Sequence, residues 1–292
     1  MNEIRRLKDK IMKKFLLGMG ILNIVIIFAM FLFIFINGSK FFTGYSVSDF
    51  LFGRSWISLS GKFGFIPLLV GTFWVTIIAV IISVPLGILI AIYIAEYAPK
   101  RIKSMMKIII EVMSAIPSVV LGFIGLYILS GPIKRMFSLN SGLTALTGGI
   151  MLAFMAFPTI VSMTEDSLNA NDISYKEASL ALGASKTETI FNVLVPAAFP
   201  GILAGIMLGF GRIVGETLTV LMITGNAPII AKSPLSSVRT LTATIAAEMG
   251  EVVKDSSHYY ALFAIGIVLF IISFITNTLA EHYVTKSRKL RN

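Results

Sequence analysis

Arg212 and Glu216 are charged residues set inside one of the most apolar runs of the chain, GFGRIVGETLTVLMIT, residues 209–224. A separation of four puts both on one face of a helix, where they can pair. Gly205, Gly209, Gly211 and Gly215 keep that helix thin, so a neighbour can approach closely. A helix from about Gly201 to Gly225 places Arg212 roughly 16 Å along its axis at the helical rise, near the middle of a bilayer. Each charge there costs on the order of 2.5–3.5 kcal/mol even on a lenient insertion scale. Two readings follow: an ion pair locking two helices, or a charged gate on a solute path. Intramembrane ionisable groups mark pathways by default, so Arg212, Glu216 and the adjoining Thr217 are taken as candidate path residues. The planar guanidinium fork suits phosphate or sulfate.

A second group lies just upstream, in SYKEASLALGASKTETIFNVLVP, residues 174–196. Ser174-x-x-Glu177 and Ser185-x-x-Glu188 both match the capping box, in which hydroxyl and carboxylate each satisfy an orphan backbone N–H. Gly183 falls between them, where a helix end can turn left-handed without a Cβ penalty. The expectation is two short helices joined at Gly183, lying in water and feeding the charged apolar helix.

Other chemistry is sparse. The sequence has no cysteine, which removes disulfides, thiolate metal sites and cysteine nucleophiles. His258 and His282 sit at water-facing helix ends and form no metal constellation. Glu111, a few residues into an apolar run, is read as reaching water. There is no Ser/His/Asp set, no paired-carboxylate site and no nucleotide loop. GFGRIVG is glycine-rich but sits mid-span, so ATP would have to be bound by another chain.

The elements that hold these residues follow from composition. Hydrophobic residues make up 56% of the 292 and charged ones 14%, about half the charged share of a soluble domain. A bilayer is the natural solvent for this all-α chain. Six runs reach the roughly 20 apolar residues a crossing needs: Phe15–Ile36, Pro67–Ala95, Ile108–Ser130, Leu143–Met163, Ala197–Thr224 and Tyr259–Ala280. The first is too long for a signal-peptide core and is read as a retained anchor. Pro85, Pro117, Pro158 and Pro200 are read as kinks.

Of the 25 Lys and Arg, sixteen fall on the side of the two tails, the Lys100–Lys107 loop and the 174–196 hairpin. Eight fall on the opposite side, leaving Arg212 inside. This bias places both termini and the hairpin in the cytoplasm and accounts for most of the net charge of +10 without nucleic acid. Two longer external segments, 37–65 and 225–258, the second with an acidic patch at Glu248, Glu251 and Asp255, could receive a soluble partner or serve as solvated connectors. Three regions are expected: 1–66 with the first crossing, a core over 67–281, and a basic tail over 282–292.

Glu177-Ala178-Ser179-x₃-Gly183, nine residues, then Val193-x-Val195-Pro196 resembles the EAA loop of bacterial ABC importer permeases, E-A-A-x₃-G-x₉-I-x-L-P. The segments KFGFIPLLVGTFWVT (62–76), VPLGILIAIYIAEYAPKR (84–101), AIPSVVLGFIG (115–125) and GRIVGETLTVLMITGN (211–226) are similar to the C-type permease subunit of the bacterial phosphate-specific transporter. The resemblance implies a type I importer bundle of six transmembrane helices in the plasma membrane. It implies that Glu177, Ala178, Ser179, Gly183, Val193 and Pro196 form a coupling loop docking on a cytoplasmic ABC ATPase dimer. It implies a homologous A-type permease partner, an extracytoplasmic phosphate-binding protein, and ATP with Mg held by the ATPase, this chain binding no cofactor. In the family, charged residues equivalent to Arg212 and Glu216 matter for transport. A permease for sulfate or molybdate stays open, as does a stand-alone ion-coupled carrier or channel.

Overall fold

The computed structural model describes residues 2–289, with side chains described for 8–279 and for Glu281. The basic residues Arg5, Arg6, Lys286, Arg288, Lys289 and Arg291, with His282, lie outside that set. In chain order the elements are α1 (Asn2–Phe41), α2 (Val47–Phe52), β1 (Trp56–Ile57), β2 (Lys62–Phe63), α3 (Ile66–Ile92), α4 (Lys100–Ala115), α5 (Ser118–Ile124), α6 (Ser130–Met136) and α7 (Ala145–Asn169). They continue as α8 (Ile173–Ala181), α9 (Lys186–Thr189), α10 (Val195–Gly215), α11 (Leu218–Ile223), α12 (Leu241–Glu248) and α13 (Ser257–Lys289). π-helical turns extend α3 (Tyr93–Tyr97), join α5 to α6 (Gly125–Leu129) and join α9 to α10 (Ile190–Leu194). β1 and β2 pair antiparallel, Trp56 opposite Phe63.

Among the described residues, six helical segments are long and apolar enough to cross a membrane: Lys8–Phe41, Ile66–Tyr97, Ser118–Met136, Ala145–Asn169, Lys186–Gly215 and Ser257–Leu279. The number agrees with the sequence expectation; the bounds differ most at the third and fifth crossings. The sequence predicts a third run continuous from Ile108 to Ser130. Instead residues 108–115 end the amphipathic α4, and the chain breaks at Ile116, which is extended (ψ 123°) ahead of Pro117. Proline clashes with a helical residue before it, so a break there is a steric consequence. Pro85, Pro158 and Pro200 stay inside their helices. The fifth crossing starts at Lys186, eleven residues early, and ends at Gly215.

The bundle is centred on α7, packed between α3 and α10. Glycines set the spacing of the α7–α10 seam. Gly201, Gly205 and Gly209, four apart, face Ser167, Met163 and Ile160; a Cβ at Gly205 or Gly209 would lie 2.7 Å from its neighbour, too close to fit. Val75, Ala79, Leu152, Ala156, Ile160 and Ile213 fill the centre. At the end remote from the hairpin, Phe41, Phe50, Trp56, Phe63 and Phe65 pack on Leu262 and Ile265 of α13. α1 lies along α13 and leaves most of its Leu, Ile and Phe side chains exposed, as a lipid-facing helix does.

Candidate functional site

The α7–α10 register fixes the depth of the charged pair. Successive glycines of α10 step along α7 from Ser167 to Ile160, and one further turn sets Arg212 level with Ala156. Ala156 is close to the middle of Ala145–Asn169, so Arg212 lies beside the middle of α7 and in the last turn of its own helix. The pairing expected for Arg212 and Glu216 does not occur, because the helix ends between them. Glu216 is the C-cap of α10 with an extended backbone (φ −68°, ψ 135°). Its carboxylate turns away and accepts the backbone N–H of Thr219 at 3.0 Å, satisfying a free donor in the first turn of α11. The Glu216 carbonyl accepts the Thr242 hydroxyl at 2.7 Å, and the Thr219 hydroxyl donates to the Ser118 carbonyl at 2.9 Å. Glu216 is 8% exposed and caps α11 at the break that follows α10. Thr217 begins α11, its hydroxyl donating to the Gly215 carbonyl at 3.2 Å.

Arg212 is left without an anionic partner: among the described residues it makes no ion pair or hydrogen bond. It borders an open strip of α10 formed by Leu208, Gly211 and Gly215; a Cβ at either glycine would meet nothing within 4 Å. The guanidinium is half-covered beside bare helix, its donors free of any described protein acceptor.

The hairpin folds around Gly183 (φ +88°). The Ala184 N–H donates to the Ser179 carbonyl (3.2 Å) and the Gly183 N–H to the Leu180 carbonyl (3.0 Å). This is a Schellman closure, which needs a left-handed residue at that position. Ser185 and Glu188 form the expected capping box on α9, the Ser185 N–H donating to the Glu188 carboxylate at 2.8 Å. The first box is not formed. Asp172 caps α8 instead, accepting the Ser174 N–H at 2.9 Å, so Ser174 lies inside the helix and Glu177 is exposed. The Ser174 bond holds the Asp172 carboxyl below the usual carboxylate range. A further correction concerns α9, which runs on through Val193 and Pro196 as the foot of the fifth crossing. Ser179 faces Thr189 across the hairpin, hydroxyls 2.9 Å apart. Glu177 and Ala178 are exposed with Ile173, Tyr175 and Leu180, and Leu182 is 91% exposed. An apolar tip on a polar hairpin exposes surface that a partner would cover.

Two carboxylates missed in the sequence anchor this end of the bundle. Glu165 of α7, 3% exposed, takes Lys103 at 3.1 Å, Lys107 at 2.8 Å and the Asn169 amide. The hydrogen bond to Glu165 raises Lys107 above the usual lysine range. Glu96, in the π turn ending α3, takes Lys176 of α8 at 2.5 Å. The expected fourth crossing stopped at Met163, two residues before Glu165; the four-residue spacing of Lys103 and Lys107 was the available signal. Glu111 is exposed on α4, as expected.

On the opposite side, Glu248 is not part of an outward acidic patch. It binds the Trp56 indole N–H (3.1 Å), Arg239 (2.5 Å) and His258 (2.7 Å), tying the 37–65 segment to α12 and α13. Among the described residues no group of His, Cys, Asp and Glu could hold a metal ion.

A family model, Binding-protein-dependent transport system inner membrane component, matches residues 83–289. The chain is 36% identical over 249 residues to a probable ABC transporter permease protein, YqgH, of Bacillus subtilis, covering 85% of this chain and 80% of that one. It is 31% identical over 257 residues to the phosphate transport system permease protein PstC of Mesorhizobium japonicum, covering 82% and 78%. Two solved structures share the fold. One, of the MetNI methionine ABC transporter in inward-facing conformations, has a TM-score of 0.57 at 18% identity, covering 77% of this chain and 94% of that one. The other, a bacterial ABC transporter involved in the import of alginate, has a TM-score of 0.63 at 15% identity, covering 96% and 99%.

Proposed function

The chain belongs to the binding-protein-dependent transport system inner membrane components, and we propose that within this family it is the C-type permease subunit of an ATP-driven importer of inorganic phosphate. The permease role itself rests on the family match and on the type I importer fold. The phosphate assignment is supported by the relatives named for phosphate transport and by an unpaired mid-span guanidinium whose donors fit a tetrahedral oxyanion.

One observation carries the ATP-driven reading: a Schellman-closed hairpin with Leu182 and its apolar neighbours exposed. Among the described residues nothing covers that tip. A groove on a cytoplasmic ABC ATPase dimer would, and this assignment places the hairpin and both termini in the cytoplasm. ATP and Mg are bound by that dimer. A homologous A-type permease faces the open strip beside Arg212, and an extracytoplasmic phosphate-binding protein delivers the anion.

In this scheme closure of the ATPases moves the hairpin, and through it the fifth crossing. Arg212 offers the anion a compensating charge at the point of highest desolvation cost. Glu216 holds the α10–α11 break in shape, and Thr217 adds a hydroxyl beside it. Membership of a binding-protein-dependent family leaves a stand-alone carrier without support.

The test is reconstitution of the chain with its A-type partner and ATPase in liposomes, with binding protein outside. Uptake of radiolabelled phosphate is expected only with ATP, and Arg212→Gln is expected to abolish it while the complex still assembles. ATP-driven uptake of sulfate or molybdate in place of phosphate would contradict the substrate assignment. Phosphate uptake by the lone chain would contradict the ATP-driven role.

A further inference from the structure

The hairpin is fastened to the second crossing as well as continuing into the fifth. Three contacts converge on two consecutive residues, Glu96 and Tyr97, at the end of the π turn that prolongs α3. Lys176, in the middle of α8, reaches Glu96 at 2.5 Å. The ammonium of Lys186, at the start of α9, lies 4.5 Å from the Tyr97 ring centroid. The Tyr97 hydroxyl is 3.3 Å from that of Thr187. Both arms of the hairpin therefore hold the same point.

The alternatives for holding α8 are weak. It buries none of its own residues, so apolar packing cannot fix its orientation. Its remaining side-chain bonds stay within the hairpin, from Ser179 to Thr189 and from Asp172 to the Ser174 N–H. The Glu96 carboxylate is mostly covered, and a covered charge-assisted pair holds geometry better than an exposed one. The root of the second arm joins the same helix end in one buried cluster, Ile190 and Leu194 with Ile92 and Leu168.

We propose that Glu96 and Tyr97 form a transmission clip through which movement of the hairpin enters the second crossing, Glu96 acting as a positioning residue for coupling. Because α3 packs on α7 along the centre of the bundle, a hairpin clipped to α3 drives the core directly. A hairpin joined only to its own helix would drive the fifth crossing alone. The proposal rests on the ATP-driven reading given above. The π turn at Tyr93–Tyr97 departs from regular α-helical bonding, which sets Glu96 and Tyr97 off the regular helix at the contact point.

The test uses Glu96→Lys, Lys176→Glu and the double exchange, with two readouts. The first is amide hydrogen exchange of the purified chain. Each single variant is expected to speed exchange in both 173–183 and 93–97 by about tenfold or more, and the exchanged pair to restore it, as a direct charge pair requires. The second is the ratio of ATP hydrolysed to phosphate imported by the reconstituted full complex. Single variants are expected to raise it about tenfold with hydrolysis kept, and the double exchange to bring it back to within about threefold of wild type. A merely stabilising pair would lower both activities together and leave the ratio unchanged, which overturns the proposal. Unchanged exchange in both segments overturns the clip whatever the chain transports. A wild-type complex that imports no phosphate refutes the functional reading, while the exchange arm still decides whether Glu96 and Lys176 hold the hairpin to the second crossing.

Discussion

Removing the Glu165 carboxylate and removing its two lysines should have unequal effects. The Glu165 side chain is 4% exposed, whereas those of Lys103 and Lys107 are 30% and 43% exposed. Glu165→Gln keeps the shape and can keep the Asn169 contact, but frees two ammonium groups that can turn to water. Each lost charge-assisted bond is worth about 1.5–3 kcal/mol, and recovered hydration reduces the sum to about 1–3 kcal/mol. Lys103→Met with Lys107→Met instead leaves a covered carboxylate without a counter-charge, for which about 3–5 kcal/mol is typical. The strain falls on α4, whose buried residue is Ile110, packed on Ala91, Ile94 and Val161. The readout is amide exchange over 100–115 in detergent. At tenfold per 1.4 kcal/mol, Glu165→Gln should speed it by about 5- to 150-fold and the lysine pair by about 150- to 4000-fold. Equal effects, or a smaller effect from the lysine pair, would refute the argument that burial asymmetry decides the cost.

Gly183→Val meets no steric neighbour, since a Cβ there has nothing within 4 Å, so its cost is conformational. The left-handed backbone should loosen the hairpin by about 1–2 kcal/mol, read as faster exchange over 173–189. Asp172→Ala should fray the start of α8, while Ser174→Ala should leave it intact, by the same exchange measurement. The Asp172 carboxyl has a folded pKa below its unfolded one, so its contribution is present above the unfolded value, about 4. It is lost as pH falls through the lower folded value, so exchange at the start of α8 should rise only below about pH 4. Arg212→Lys should retain part of the phosphate uptake that Arg212→Gln loses, because the charge remains and the fork does not.

Much of this fold is legible in the residues. The six crossings follow from uninterrupted apolar length, which no tertiary contact is needed to explain. Gly183 and the Ser185–Glu188 box are local features, settled within four residues. The first cap was misplaced because Asp172 and Ser174 are both good caps two residues apart, and the sequence does not rank them. The break after Gly215 is not legible, since no proline or turn signal interrupts residues 209–224 and the bonds that hold the break come from Ser118 and Thr242. Pro117 looked like Pro85 or Pro158; what distinguishes it is the amphipathic α4 before it. The Glu165 and Glu96 anchors depend on partners about 60 and 80 residues away in sequence, beyond the reach of local pattern.

The absence of native cysteine allows a single reporter at the hairpin tip. Leu182→Cys should be labelled by a membrane-impermeant maleimide only from the side of the basic tails, and a saturating ABC ATPase partner should block that labelling. Labelling from the opposite side, or labelling that the ATPase leaves unchanged, would contradict the assignment of this hairpin as the coupling element of an ATP-driven importer.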